Sequence, residues 1–175
     1  MPSSDHMTRP FDVQEAIRRA KKIEWMFFDV DGVMTDGGLL YDHSGETIKR
    51  FHVLDGHGLK ALKQAGLRVG ILSGREHAAT LDRGRELGLD IIIQGAEDKG
   101  RAIDAVLAEH RISAERCGHM GDDIPDLAVF SRVGFSAAVP NAVDAVLRQA
   151  HWISMRQGGQ GAVRDCCDFI LEARG

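Results

Sequence analysis

Apolar residues recur in short blocks along the chain, each followed by a stretch of helical period. Trp25 to Phe28 is an uninterrupted apolar run, as is Leu67 to Leu72 apart from Arg68 and Gly70. Runs of this length without alternation predict strands buried on both faces, as in a parallel sheet. Asp90 to Gln94, Cys117 to Met120, Val133 to Ala138 and Trp152 to Met155 read as further strands. Between them the spacing predicts helices over Phe11 to Lys22, Leu59 to Gln64, Ala78 to Leu87, Asp98 to about His110, Pro125 to Phe130 and Ala142 to Gln149. A last helix runs from Ala162 to Ala173. Gly66 and Gly88 follow two of these helices, as C-terminal caps do. The alternation predicts a doubly wound α/β fold with a parallel sheet.

One block breaks the alternation. Gly38 to Tyr41 and Glu46 to Phe51 read as two short strands around Asp42-His43-Ser44-Gly45, a β-hairpin inserted after the first strand. His52 to Gly58, with two glycines, reads as a loop, and Gly158 to Gly161 as a flexible turn. The first nine residues, rich in Pro, Ser and Asp, read as a disordered lead into one domain over residues 10–175.

Chemistry-bearing residues fall just after successive strands. Asp29 and Asp31 follow the first, Ser73 the second, Lys99 the third, and Asp122 and Asp123 the fourth. Right-handed crossovers place all these strand ends on one edge of the sheet, where open α/β sheets bind ligands. Asp29 and Asp31, two apart on extended chain, are expected to project together and to need a cation or a proton to offset their repulsion. A calcium-binding loop is excluded. Gly32 comes too early in such a loop, and no Glu closes it at the twelfth position.

These residue types can perform phosphoryl transfer. Asp29 can attack phosphorus, and Asp31 can protonate the leaving oxygen and then activate water. Ser73 and Lys99 can hold phosphoryl oxygens. Mg²⁺ can be held by Asp29, Asp122 and the backbone carbonyl of Asp31. Asp123 and Asp126 are expected to support this arrangement, by orienting metal-bound water or pairing with Lys99. Taken singly, Ser73 would be a turn residue and Lys99 a solvated lysine in a first helical turn, where the helix dipole disfavours it.

Composition narrows the partners. A net charge of −4 argues against nucleic acid. No segment is long and apolar enough to span a membrane, and no signal-peptide pattern is present. The three cysteines, Cys117, Cys166 and Cys167, form no disulfide framework or metal-ligand spacing. These features lead to the expectation of a cytoplasmic protein.

The stretch Asp29-Val30-Asp31-Gly32-Val33, with Ser73, Lys99 and Gly121-Asp122-Asp123-Ile124-Pro125-Asp126, resembles the four motifs of the haloacid dehalogenase superfamily in their order. Finer features are similar to those of the 3-deoxy-D-manno-octulosonate 8-phosphate phosphatases. They are Asp29 to Gly37, Phe51 to Gly58, Ser73-Gly74-Arg75, Arg83, Gln94-Gly95 and Gly158 to Asp165. The resemblance implies an Mg²⁺-dependent, capless phosphatase of an acidic sugar phosphate, tetrameric with shared active sites. It further implies that Asp31, His52, Val53, Leu54, Asp55, Gly56, Lys60, Arg75, Arg83 and Lys99 line the substrate site, with Lys60 acting on a neighbouring subunit. Leu54 and Lys60 stand where that family often carries Arg. The Gly158 to Gly161 segment is implied to pack near the active-site entrance. The alternatives are a phosphatase for a nine-carbon, sialic-acid-type sugar phosphate and a non-catalytic phospho-aspartate regulatory domain.

Overall fold

The computed structural model describes residues 12–175. The expectation of disorder over the first nine residues lies outside them. The first helix is α1, Val13–Ala20, and its N-cap Asp12 accepts hydrogen bonds from the amides of Gln14 and Glu15. The expected start of this helix at Phe11 also lies outside the described residues.

Six strands form one parallel sheet: β1 (Trp25–Phe28), β4 (Arg68–Leu72), β5 (Ile91–Ile93), β6 (Cys117–Gly121), β7 (Phe135–Ala138) and β8 (Trp152–Ile153). Their order is β5-β4-β1-β6-β7-β8. The chain builds outward from β1 to β4 and β5, then returns to the other side of β1 for β6. β1 and β6 therefore flank the switch point, where loops diverge and leave a crevice. The remaining helices are α2 (Val53–Gln64), α3 (Ala78–Glu86), α4 (Lys99–Glu109), α5 (Ile124–Phe130), α6 (Asp144–Gln149) and α7 (Ala162–Arg174).

The sheet is buried between two apolar layers. One, under α1, α2 and α7, holds Met26, Phe28, Leu59, Val69, Phe135, Cys166 and Ile170. The other, under α4 and α5, holds Phe27, Leu72, Ile103, Val106 and Val129. Alternate residues of β1 serve opposite layers, as a pleated strand requires. Beyond the turn that follows β1 is the hairpin, β2 (Leu40–Tyr41) paired antiparallel with β3 (Thr47–Ile48). It is shorter than expected, and Leu39, Leu40, Tyr41 and Ile48 are all about half exposed.

Two expected irregular segments are ordered. The segment from His52 to Gly58 is not a loop: α2 begins at Val53, capped by His52, whose Nδ1 accepts from the Leu54 amide. Its glycines are explained by packing. A Cβ on Gly56 would lie 2.4 Å from the Arg83 guanidinium, and one on Gly58 would lie 3.0 Å from the Arg164 backbone. Tertiary contact between helices here outweighs the low helix propensity of glycine. Nor is Gly158 to Gly161 a free turn. Gly158 and Gly159 are buried against the loop after β1, where the Gly159 amide donates to the Val33 carbonyl at 3.0 Å.

Candidate active site

β1 stops at Phe28 because the chain turns tightly over Val30–Met34, with Gly32 at φ +88°. Only glycine takes that conformation without strain, and only glycine fits there: a Cβ would overlap the Asp122 carboxylate at 2.0 Å. The loop after β1 thus lies directly against the loop after β6. The Asp29 amide donates to Met120 on β6 at 3.0 Å, which fixes Asp29 at the switch point.

Three carboxylates meet here. Asp29, Asp122 and Asp126 each offer an oxygen within 4.8 Å of the others. Lys99, in the first turn of α4, reaches across them, 2.9 Å from Asp29 Oδ1 and 2.8 Å from Asp126 Oδ1. Its side chain is 4% exposed, so its charge is compensated by these carboxylates rather than by water. Burial by itself would lower the Lys99 pKa, but the negative charges of Asp29 and Asp126 outweigh it and raise it.

Asp126 is saturated. Its Oδ1 accepts from Lys99 and from His119 Nε2 at 2.7 Å, and its Oδ2 accepts from the amides of Asp122 and Asp123 at 3.0 and 3.2 Å. Burial pushes its pKa up, yet the hydrogen bonds from His119 and Lys99 win and hold it well below the ordinary carboxylate range. His119 is fully buried and its Nδ1 has no partner among the described residues. The neutral tautomer with hydrogen on Nε2 is therefore the one that leaves no N–H unpaired.

Asp29 and Asp122 behave oppositely. Burial, reinforced by the Asp126 charge, raises the Asp29 pKa against the opposing pull of Lys99. Burial and the charges of Asp29 and Asp126 push Asp122 up to about 8. Both shifts disfavour the charged carboxylates, and a cation binding there would oppose them. Asp122 Oδ1 is buried without a hydrogen-bond partner among the described residues. An orphaned carboxylate oxygen beside a second carboxylate is the hard, anionic oxygen set that Mg²⁺ takes. The donors left for it are on Asp29 and Asp122, because both oxygens of Asp126 are already used.

Asp31 does not join this cluster. It and Asp29 have separate compensators: Asp29 has Lys99, and Asp31 Oδ1 is bonded by Lys49 Nζ from the hairpin. Of these two lysines, Lys49 is the one the sequence did not point to. Asp31, Arg75 and Lys49 line a pocket of about 140 Å³ under the hairpin, with Thr35, Thr47 and Arg50. Ser73 is 2% exposed at the end of β4, and its Oγ is engaged with the Arg75 backbone.

The remaining expected substrate residues are scattered. His52, Val53 and Leu54 form the exposed start of α2, where Val53 is 68% exposed. Asp55 does not face a cleft: it is 2% exposed, and its Oδ1 accepts from the Arg164 amide at 2.9 Å, capping α7. Burial raises its pKa against that hydrogen bond. Gly56 lies under the Arg83 guanidinium, which pairs with Glu86 at 2.9 Å. Lys60 is exposed and makes no hydrogen bond or ion pair among the described residues. Asp123 is the exposed N-cap of α5, reciprocally bonded with Asp126 in a capping box.

Lys49, His119 and Asn141 were not anticipated in these roles. Asn141 donates to the Gly32 carbonyl at 3.2 Å and accepts from the Gly158 amide at 2.8 Å, joining the loop after β1 to the glycine segment. Its position after β7, on the same sheet edge, was the available signal. Lys49 had none, because only the hairpin's fold brings it to Asp31.

Residues 88–163 match the family model for haloacid dehalogenase-like hydrolases. A 3-deoxy-D-manno-octulosonate 8-phosphate phosphatase KdsC of Yersinia pestis is 39% identical over 160 residues, 91% of this chain and 86% of that protein. The chain belongs to the KdsC phosphatase family. Solved KdsC relatives share the whole fold. The Moraxella catarrhalis enzyme, in complex with magnesium, phosphate and a KDO molecule, is 39% identical with a TM-score of 0.91, covering 93% of this chain and 94% of that one. The cobalt-bound Haemophilus influenzae enzyme is 38% identical with a TM-score of 0.86, covering 90% and 92%. No cap domain is evident in this chain: only a tight turn and the hairpin lie between β1 and α2.

Proposed function

We propose that this protein hydrolyses 3-deoxy-D-manno-octulosonate 8-phosphate to the free sugar acid and phosphate, with Mg²⁺, in the making of the inner sugar of lipopolysaccharide. The observation that carries the reading is the lysine-bridged carboxylate cluster Asp29, Asp122 and Asp126 at the β1/β6 switch point. It stands in a fold that matches, over nearly its whole length, a relative holding magnesium, phosphate and the sugar product.

Asp29, Asp122 and the Asp31 carbonyl would hold the ion, which when bound neutralises charge between Asp29 and the incoming phosphate. An oxygen of Asp29 attacks phosphorus, the bond from phosphorus to the sugar oxygen breaks, and Asp31 gives that oxygen a proton. Asp31 then takes a proton from water as the water oxygen attacks phosphorus, releasing phosphate and restoring Asp29. Lys99 holds Asp29 in place and adds positive charge beside the phosphoryl group, with Ser73 and the neighbouring amide as donors. Arg75 and Arg83 are assigned to the substrate's carboxylate and hydroxyls, because a guanidinium pairs with carboxylates in two-point geometry.

The apolar hairpin supports a homotetramer in which neighbouring subunits cover the open site. Lys60, exposed and unengaged among the described residues, is the residue assigned to the neighbour's pocket. Among the described residues no helix is long and apolar enough to cross a membrane, and the cytoplasm is the compartment this reading assigns. Beryllofluoride with Mg²⁺ tests the chemistry: it is expected to form an adduct at Asp29 in the wild type and none in Asp29→Asn, which is folded but inactive. Substantial turnover by Asp29→Asn would remove the covalent mechanism.

A further inference from the structure

Among the described residues, residues 47–50 of the hairpin make three polar contacts with the rest of the chain that involve a side chain. Arg50 pairs with Asp36 at 2.7 Å, and His77 Nε2 lies 2.8 Å from the Thr47 carbonyl. The third joins Lys49 Nζ to Asp31 Oδ1. The Arg50–Asp36 pair is a surface contact, 68% and 43% exposed. Such pairs contribute little.

Lys49 is of another kind. Its side chain is 8% exposed although Ile48 beside it, on a strand of two residues, is 53% exposed. An ammonium group removed from water needs a carboxylate, and Asp31 is the carboxylate it has. Lys49 engages only Oδ1, and Asp31 Oδ2 has no hydrogen-bond partner among the described residues.

We propose that Lys49 is a positioning residue: it grips one oxygen of Asp31 so that the other is presented to the oxygen leaving phosphorus. The inference rests on the phosphatase reading above and extends it. Proton transfer demands that donor and acceptor lie within hydrogen-bond reach in the transition state, so a carboxyl turned away is ineffective even when it carries the proton. A lysine bond to Oδ1 removes that rotation. The grip comes from the hairpin, the same element whose apolar face is assigned to the subunit interface, and so assembly and proton delivery share one lever.

The consequence depends on the leaving group. When an ester oxygen departs from phosphorus it takes the bonding electron pair. An alkoxide must then receive a proton from Asp31 to leave as an alcohol, whereas 4-nitrophenolate leaves without one. The test is steady-state kinetics of wild type, Lys49→Met and Lys49→Arg on alkyl, phenyl and 4-nitrophenyl phosphates. Mg²⁺ binding by calorimetry and assembly by light scattering are measured on the same proteins. Lys49→Met is expected to lose about tenfold to a hundredfold in kcat on alkyl phosphates and much less on 4-nitrophenyl phosphate, a part of the roughly hundredfold to ten-thousandfold that general acid catalysis supplies. KM, Mg²⁺ affinity and oligomeric state are expected to hold, and Lys49→Arg to recover most of the loss. An equal loss on all esters, a loss confined to KM, or a fall in Mg²⁺ affinity would each overturn the proposal. A wild type inactive on every ester is a distinct result that overturns the phosphatase reading and this inference with it.

Discussion

Asp122 carries the metal argument at the scale of single residues. Its Oδ1 is buried without a hydrogen-bond partner among the described residues, and burial with the charges of Asp29 and Asp126 pushes its pKa up to about 8. A carboxylate so placed is costly to ionise in the bare protein and becomes sensible once a cation offsets the charge. Chelation with EDTA is expected to abolish phosphatase activity and added Mg²⁺ to restore it. Asp122→Ala is expected to raise the Mg²⁺ concentration needed for half-maximal activity at least about tenfold, because it removes one of few protein ligands. Undiminished turnover by the chelated wild type would end the metal assignment. The adjacent Asp126 has a different task. With both oxygens engaged, it orients Lys99 and the amides of Asp122 and Asp123.

Among the elements, α2 is locked to the sheet at its far end by Asp90, just before β5. Lys63 of α2 bonds Asp90 Oδ2 at 2.7 Å, Arg68 of β4 bonds Oδ1 at 3.1 Å, and the Val69 amide bonds Oδ2 at 2.9 Å. Burial alone would raise the Asp90 pKa, but these donors outweigh it and hold the carboxyl below its ordinary value of 3.8. A carboxyl with a depressed folded pKa stabilises the fold above the unfolded value, and that contribution is lost as pH falls through the folded one. Asp90→Asn is therefore expected to cost on the order of 1 kcal/mol at neutral pH, with the gap from wild type closing below about pH 4. Chemical unfolding of both proteins across pH measures it; a gap that widens in acid would contradict the pairing.

The same scale shows what the chain's residues disclosed and what they hid. Strand ends were legible because apolar runs stop at the acidic and glycine-rich turns; Asp29, Ser73 and Asp122 sit at those stops, and Lys99 opens the helix after β5. α2 was mistaken at its start, since Gly56 and Gly58 read as breakers until Arg83 and Arg164 are seen to need their missing side chains. Asp55, which the family resemblance puts in the substrate site, accepts in this chain from the Arg164 amide in the first turn of α7. Lys49 and Asn141 were beyond reach. Their partners, Asp31 and the Gly32 carbonyl, are 18 and 109 positions away, and only tertiary structure sets such pairs.

For the whole molecule, the open sheet edge and the exposed hairpin make one question. Leu39, Leu40, Tyr41 and Ile48 project from an element with no core of its own, and such patches mark contact surfaces. A tetramer assembled through them would close a site that has no cap. Lys60→Glu and Asp31→Asn, each nearly inactive alone, are expected to regain part of the activity when unfolded, mixed and refolded together. The regained fraction comes from pockets that combine an intact Asp31 with a neighbour's intact Lys60. Mixed tetramers as inactive as their parents would show that Lys60 does not act across the interface.

The most direct test of the account is the specificity constant itself. Wild-type protein with Mg²⁺ is assayed on 3-deoxy-D-manno-octulosonate 8-phosphate, a nine-carbon sialic-acid-type 9-phosphate and simple hexose phosphates. The account predicts the highest kcat/KM for the eight-carbon acid, with hexose phosphates far below it. A higher value for the nine-carbon ester, or equal values for acidic and neutral sugars, would contradict it.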